Sequence, residues 1–331
     1  MKDTRLQPRR WPTAAAIVAT AIAGAAACWA LPQLPVSPAL AEVAPKRTPR
    51  PVAPPLVTEA KTKLVEFENA PFPFDSGAAP RGRLRGDLSR YSDPRVLLHI
   101  PKGFNVKKPG AIVIFYHGHR ANLTRDVLDR QRVADQISLS HANAVLVAPQ
   151  FAVNASDSNV GNFWNPDLFK WFLQDVSSEL SFLHGDGVAG IGLRDDYEKL
   201  DIIAVGYSGG YAPVAWSIYH ARSMPRLRGV VLLDSLYGEM DKFEQWILGD
   251  RKRRFFVSGY LGSTRNRNLQ LQRFLSDKRI PYNMALEDRI LPGSITFIPG
   301  THGERHNDYV TRAWVPNPLS DVLDRLAEYP R

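Results

Sequence analysis

The chain has 331 residues, 44% of them hydrophobic and 23% charged, with a formal net charge of +9 and a single cysteine. That cysteine, Cys28, stands near the N-terminus, so the rest of the chain has no thiol for a disulfide, a cysteine nucleophile or a thiolate metal site. Its stability must come from a packed core. No basic run with interleaved aromatics points to nucleic acid, and the excess charge reads as a mildly basic, solvated surface.

Residues 1–41 read as a signal peptide. Lys2, Arg5, Arg9 and Arg10 form a basic start, Thr13 to Leu31 is an uncharged alanine-rich run, and Ala39-Leu40-Ala41 supplies a cleavage site before Glu42. Removal of this segment takes four basic residues and Asp3 with it, leaving +6 of the formal +9. The expected location is therefore exported, periplasmic or secreted. The alternative is an uncleaved membrane anchor, because the apolar run approaches the roughly 20 residues that span a bilayer; the membrane is then a partner only through this segment. Residues 42–57, proline-rich with Lys46, Arg47 and Arg50, form neither helix nor central strand and read as a linker. Residues 58–331 are left for one α/β domain.

Within that domain, apolar runs of strand length alternate with helical patterns. Strands are expected at Thr62 to Glu68, Arg95 to Ile100, Ala111 to Tyr116, Ala144 to Ala148, Leu200 to Val205, Leu227 to Leu233, Arg254 to Ser258 and Ser294 to Ile298. Helices are expected at Thr124 to Leu139, Pro166 to Leu183, Tyr211 to Arg222, Glu239 to Leu248, Asn268 to Asp277 and within Asp308 to Tyr329. In the second helix, Leu168, Trp171, Phe172, Val176, Leu180 and Leu183 recur at helical spacing as a core stripe. The later strands are continuous aliphatic runs, as parallel strands covered on both faces require. The expected architecture is a three-layer α/β/α sandwich on a mostly parallel eight-stranded sheet. The connection Leu236 to Arg253 is too short for a large lid domain.

Gly206-Tyr207-Ser208-Gly209-Gly210 follows the fifth strand directly and has the form G-x-S-x-G. A serine on a sharp strand-to-helix turn is held in a strained conformation with its hydroxyl exposed at the top of the sheet. A serine hydroxyl is a weak nucleophile alone and needs a base, an orienting acid and donors for an oxyanion. Asp234, at the end of Gly229 to Leu233, is the candidate acid, because a carboxylate at a buried strand end needs a compensating partner. The following strand end carries no acidic residue until Asp277, which supports that choice; the structural alternative is a helix N-cap. The base is expected in the loop after the last strand, which offers His302 and His306.

From Arg95 to the C-terminus the chain resembles the α/β-hydrolase superfamily, and more narrowly exported bacterial hydrolase-like proteins with an HGH loop, a YSGG elbow and an LLDxLYG segment. The resemblance implies that Tyr116-His117-Gly118-His119 is the oxyanion loop, with the backbone N–H of His119 acting beside that of Gly209. His302 has the spacing common in the superfamily, whereas the run from His306 to Trp314 is closer to the narrower group's ending. His306 is therefore favoured and His302 kept as alternative. A competing constellation gathers His117, His119, His302 and His306 around zinc, but no familiar zinc-hydrolase pattern accompanies them and the elbow would go unexplained. No metal or organic cofactor is expected.

The loop Gln150 to Trp164 borders the site, and Phe163, Trp164 and Tyr207 are the candidate substrate contacts. For Phe163 and Trp164 the alternative is an anchoring role in the core. The expected function is a serine hydrolase acting on a small-molecule or envelope-derived acyl substrate, a carboxylic ester first, with amide cleavage and acyl transfer open to the same triad. The reading from another class is a catalytically silent binding protein of the cell envelope.

Overall fold

The computed structural model describes residues 54–74, 84, 87–188, 193–301 and 303–331. The expected signal peptide and most of the expected linker lie outside these residues, as does His302. No helix among the described residues is long and apolar enough to cross a membrane. The last part of the expected linker is bound to the domain: Val57 is buried and exchanges backbone hydrogen bonds with Gly103 and Phe104.

Eight strands form one sheet: β1 Lys61–Glu66, β2 Arg95–Ile100, β3 Ala111–Tyr116, β4 Ala144–Pro149, β5 Asp201–Tyr207, β6 Leu227–Leu233, β7 Phe255–Tyr260 and β8 Ile295–Pro299. Their spatial order is β1-β2-β4-β3-β5-β6-β7-β8. The β1/β2 and β2/β4 pairs are antiparallel, and every pair from β4 to β8 is parallel. Alternate residues of the central strands enter different cores. Ile112, Ile114 and Tyr116 of β3 join one core with Phe163, Phe172 and Trp246, while Ala111, Val113 and Phe115 join the other with Ile137, Leu319 and Leu323. Continuous apolar runs are thus required in the central strands, because neither of their faces meets water.

The helices that cover it are α1 Val133–Leu139, α2 Pro166–His184, α3 Arg194–Tyr197, α4 Tyr211–His220, α5 Met240–Gly249, α6 Arg265–Asp277 and α7 Pro318–Asp324. Only α5 and short connections separate β6 from β7, so no large lid covers the sheet's end. With the serine turn after the fifth of eight strands, the architecture is the α/β-hydrolase fold.

Two expectations need correction. The helix foreseen from Thr124 to Leu139 is two elements, a π-helix over Leu123–Arg130 and then α1, separated by Arg132 at φ 52°. The wide turn closes through Gln131 N–H to the Asp126 carbonyl at 2.7 Å, an i to i−5 bond. On α2 the buried face is Phe169, Phe172, Leu173, Val176 and Leu180 together with Ser177, Ser181 and His184, while Trp171 is 44% exposed. A count of apolar residues alone misses that register, because polar groups on the buried side find partners. Ser177 Oγ donates to the Leu173 carbonyl at 3.1 Å, and the His184 ring lies 2.8 Å from the Tyr197 hydroxyl.

Candidate active site

Strand β5 delivers Ser208 into a left-handed conformation, φ 53°, before α4 begins at Tyr211. Such a backbone is costly for a side-chain-bearing residue and holds only where neighbours fix it. Two close approaches do so. A Cβ on Gly210 would lie 2.2 Å from the Tyr116 carbonyl oxygen, and one on Gly118 would lie 2.8 Å from the Ser208 Cβ. Glycine is therefore the residue that lets the end of β3, its following loop and the serine turn touch. Ser235 closes the underside by donating its hydroxyl to the Ser208 carbonyl at 2.9 Å.

His306 Nε2 lies 2.7 Å from Ser208 Oγ, and its Nδ1 lies 2.5 Å from Asp234 Oδ2. Asp234 follows β6 directly, has φ 44° and is 0% exposed. Burial acts to raise its carboxyl pKa, but hydrogen bonds from His306, Thr264 and the Leu261 N–H outweigh it and hold the group below the usual carboxylate range. Both oxygens are fully engaged. Oδ1 accepts from the Leu261 N–H at 2.9 Å and from the Thr264 hydroxyl, and Oδ2 accepts from the Ser263 hydroxyl at 3.1 Å as well as facing His306. Asp234 is thus an ionised, immobile acceptor and not an N-cap. Ser263 and Thr264 escaped the sequence reading; their signal was a pair of hydroxyls just past the strand end that lacks an acid.

Tyr207 lines the cleft, but its contacts are with the base. Its hydroxyl donates to the His306 carbonyl at 2.9 Å and its ring stacks on the imidazole with centroids 5.2 Å apart. The loop after β3 is organised by His117, which is buried. Its Nε2 accepts from the Phe151 N–H at 2.8 Å and lies 2.9 Å from the Gln150 side-chain nitrogen. The remaining proton is therefore on Nδ1, which donates to the Gly118 carbonyl at 2.8 Å. Burial lowers the His117 pKa to about 4, so the ring stays neutral. In a trans peptide the N–H points opposite to the C=O, so the His119 N–H faces away from His117 on the peptide that abuts Ser208. The His119 ring lies 2.8 Å from the Ser158 hydroxyl.

Of the four imidazoles that the sequence offered to a metal, His117, His119 and His306 have different partners and His302 lies outside the described residues; no cluster of three metal-ligating side chains occurs among the described residues. Phe163 is also corrected as a substrate contact. It is 0% exposed and packs among Phe151, Phe169 and Phe172 as an anchor of the core. Trp164 does not line the cleft either; its carbonyl accepts from the His220 ring at 2.9 Å. The cleft over Ser208 is open, about 500 Å³, and walled by Tyr211, Tyr237, His119, Ser158, Arg120 and Arg130.

No family model and no curated protein matches this chain. Among solved structures, it is similar to an S-formylglutathione hydrolase from Agrobacterium tumefaciens at 11% identity and TM-score 0.39, covering 70% of this chain and 90% of that one. It is similar to a thermostable esterase from Pseudomonas putida at 13% identity and TM-score 0.39, covering 80% and 79%. A lidless α/β serine hydrolase from Xanthomonas campestris shares 11% identity at TM-score 0.39, covering 83% and 94%. Likeness at this level carries no inference about activity, and the fold stands on the strand order of the chain itself.

Proposed function

We propose that this chain is an exported serine hydrolase that cleaves a carboxylic ester through an acyl-enzyme. The observation that carries the reading is the unbroken hydrogen-bond chain from Ser208 through His306 to a buried Asp234 whose other acceptor positions are filled. Ser208 Oγ attacks the acyl carbon while its proton passes to His306 Nε2. Asp234 holds the ring with Nε2 toward the serine and stabilises the imidazolium that forms. The tetrahedral oxyanion is received by the backbone N–H groups of Gly209 and His119; one such donor contributes about 2.7 to 4 kcal/mol to transition-state stabilisation. Collapse breaks the ester C–O bond, and the imidazolium protonates the departing alcohol. Water, deprotonated by His306, then attacks the acyl-enzyme and frees Ser208 with release of the acid.

The export part of the reading is supported by the basic start, the apolar run and the cleavage site in residues 1–41. The hydrolase part is tested with short-chain 4-nitrophenyl esters. The purified protein is expected to hydrolyse them, and Ser208→Ala to lose that activity. A well-folded parent without turnover, or a Ser208→Ala protein that keeps it, contradicts the proposal and favours a binding role for the fold.

A further inference from the structure

The lining of the cleft contains two guanidinium groups and not one carboxylate among the described residues. Their surroundings leave them electrostatically unbalanced. Arg120 is fixed by its own backbone, φ 58°, with its N–H bonded to the Ala155 carbonyl at 2.8 Å, and its Nε donates to the Ser156 hydroxyl at 2.8 Å. It takes part in no ion pair among the described residues, and both of its terminal nitrogens are left for a ligand. Arg130 shares one carboxylate with a second arginine: its Nε lies 2.9 Å from Asp126 Oδ1, while Arg125 lies 2.6 Å from Oδ2. One negative charge against two positive ones leaves a net positive charge on that wall. Arg130 is also tied to the catalytic loop, with Nη1 3.3 Å from the Asn307 carbonyl.

We infer that the ester taken by this cleft carries an anionic oxygen group, a carboxylate or a phosphate, received by Arg120 and Arg130. The inference rests on the hydrolase reading for the word ester, but the anion site itself does not. Guanidinium is always charged and matches the paired oxygens of such groups with two parallel donors, which a neutral ester leaves unused. A cleft lined by one sign of charge also concentrates ligands of the opposite sign, an effect that salt weakens where the cleft is open. Arg120 follows His119 directly, so a substrate whose carbonyl oxygen meets the His119 N–H has this cation one residue away.

Two measurements test it. The first compares kcat/KM for mono-4-nitrophenyl glutarate with that for 4-nitrophenyl pentanoate, which has the same chain length without the terminal carboxylate. The parent is expected to prefer the anionic ester by at least about tenfold, with that ratio falling toward one in Arg120→Gln, recovering partly in Arg120→Lys, and shrinking as salt is raised. A parent ratio near one, or a ratio that Arg120→Gln leaves intact, overturns the inference. The second needs no turnover. Glutarate and glycerol phosphate are titrated calorimetrically into the Ser208→Ala protein. Binding of either that weakens at least tenfold in Ser208→Ala/Arg120→Gln supports the site and tells which anion it prefers; binding of neither, or binding indifferent to Arg120, refutes it. Should both esters resist hydrolysis, the hydrolase reading fails while the titration still decides the anion site.

Discussion

The loop after β3 and the loop after β8 each bring a histidine to the same end of the sheet, and the two imidazoles differ in the properties that decide whether a ring can move a proton. His117 is 4% exposed, both nitrogens are held by fixed partners, and burial lowers its pKa to about 4. His306 has a side chain 34% exposed, with one nitrogen on a serine hydroxyl and the other on a carboxylate. The first ring is a strut that turns the Gly118–His119 peptide. The second is the proposed base, placed between the serine hydroxyl and the carboxylate of Asp234. Identical side chains on two loops at one end of the sheet thus differ by burial and partners alone.

The comparison is broken most severely by removing the relay. Ser208→Ala and His306→Ala are each expected to lower kcat by roughly 10⁶-fold, measured on whichever 4-nitrophenyl ester the parent turns over fastest. Asp234→Asn keeps the shape but favours the wrong tautomer of His306, and a loss of about 10⁴-fold is expected. His117→Ala should cost about 10- to 100-fold in kcat with a smaller change in KM, because a misaligned oxyanion donor forfeits part of the 2.7 to 4 kcal/mol such a donor contributes. A His117→Ala loss as large as that of His306→Ala would mean that the strut and the base had been confused. Thr264→Val removes one of four contacts to Asp234 and is expected to lower kcat several-fold and shift the acid limb of the pH profile upward, since a less well-bonded carboxylate protonates more readily.

The smallest effect concerns stability. His99 and His117 are both pushed down to about 4 by burial, against about 6.5 for an unfolded histidine. Between those values the unfolded chain binds more protons than the folded one, so stability is complete above pH 6.5 and declines as pH falls toward 4. Asp234, whose carboxyl is held low, adds a further loss below the ordinary carboxylate range. Thermal unfolding at pH 7.5 and pH 5 should show a lower midpoint at the acidic value, and equal midpoints would contradict the buried, neutral state of these rings.

The sheet was legible in the sequence because doubly covered parallel strands leave an unambiguous apolar signature: β2, β3 and β6 have the bounds the runs suggested. The elbow and Asp234 were legible because each sits directly after such a run, and His306 because it lies in the loop that follows the last one. What pattern could not reach were contacts made across the chain by ordinary residues. Thr264 and Ser263 meet Asp234 from about thirty positions away, and Gln150 meets His117 from thirty-three. Phe163 looked equally suited to a cleft wall or a core, since an aromatic ring in a loop carries no mark of which way it turns. Arg120 and Arg130 passed unremarked because a surface arginine acquires meaning only when the acidic residues around it can be counted in space.

The central claim is that Ser208 is activated by His306 and not by any other imidazole. Stoichiometric labelling by a fluorophosphonate, mapped to its peptide by mass spectrometry, tests this most directly. The account predicts one adduct per chain, on Ser208, abolished in His306→Ala and retained at a reduced rate in His117→Ala. Absence of labelling in a folded parent, or labelling that survives His306→Ala undiminished, would contradict it.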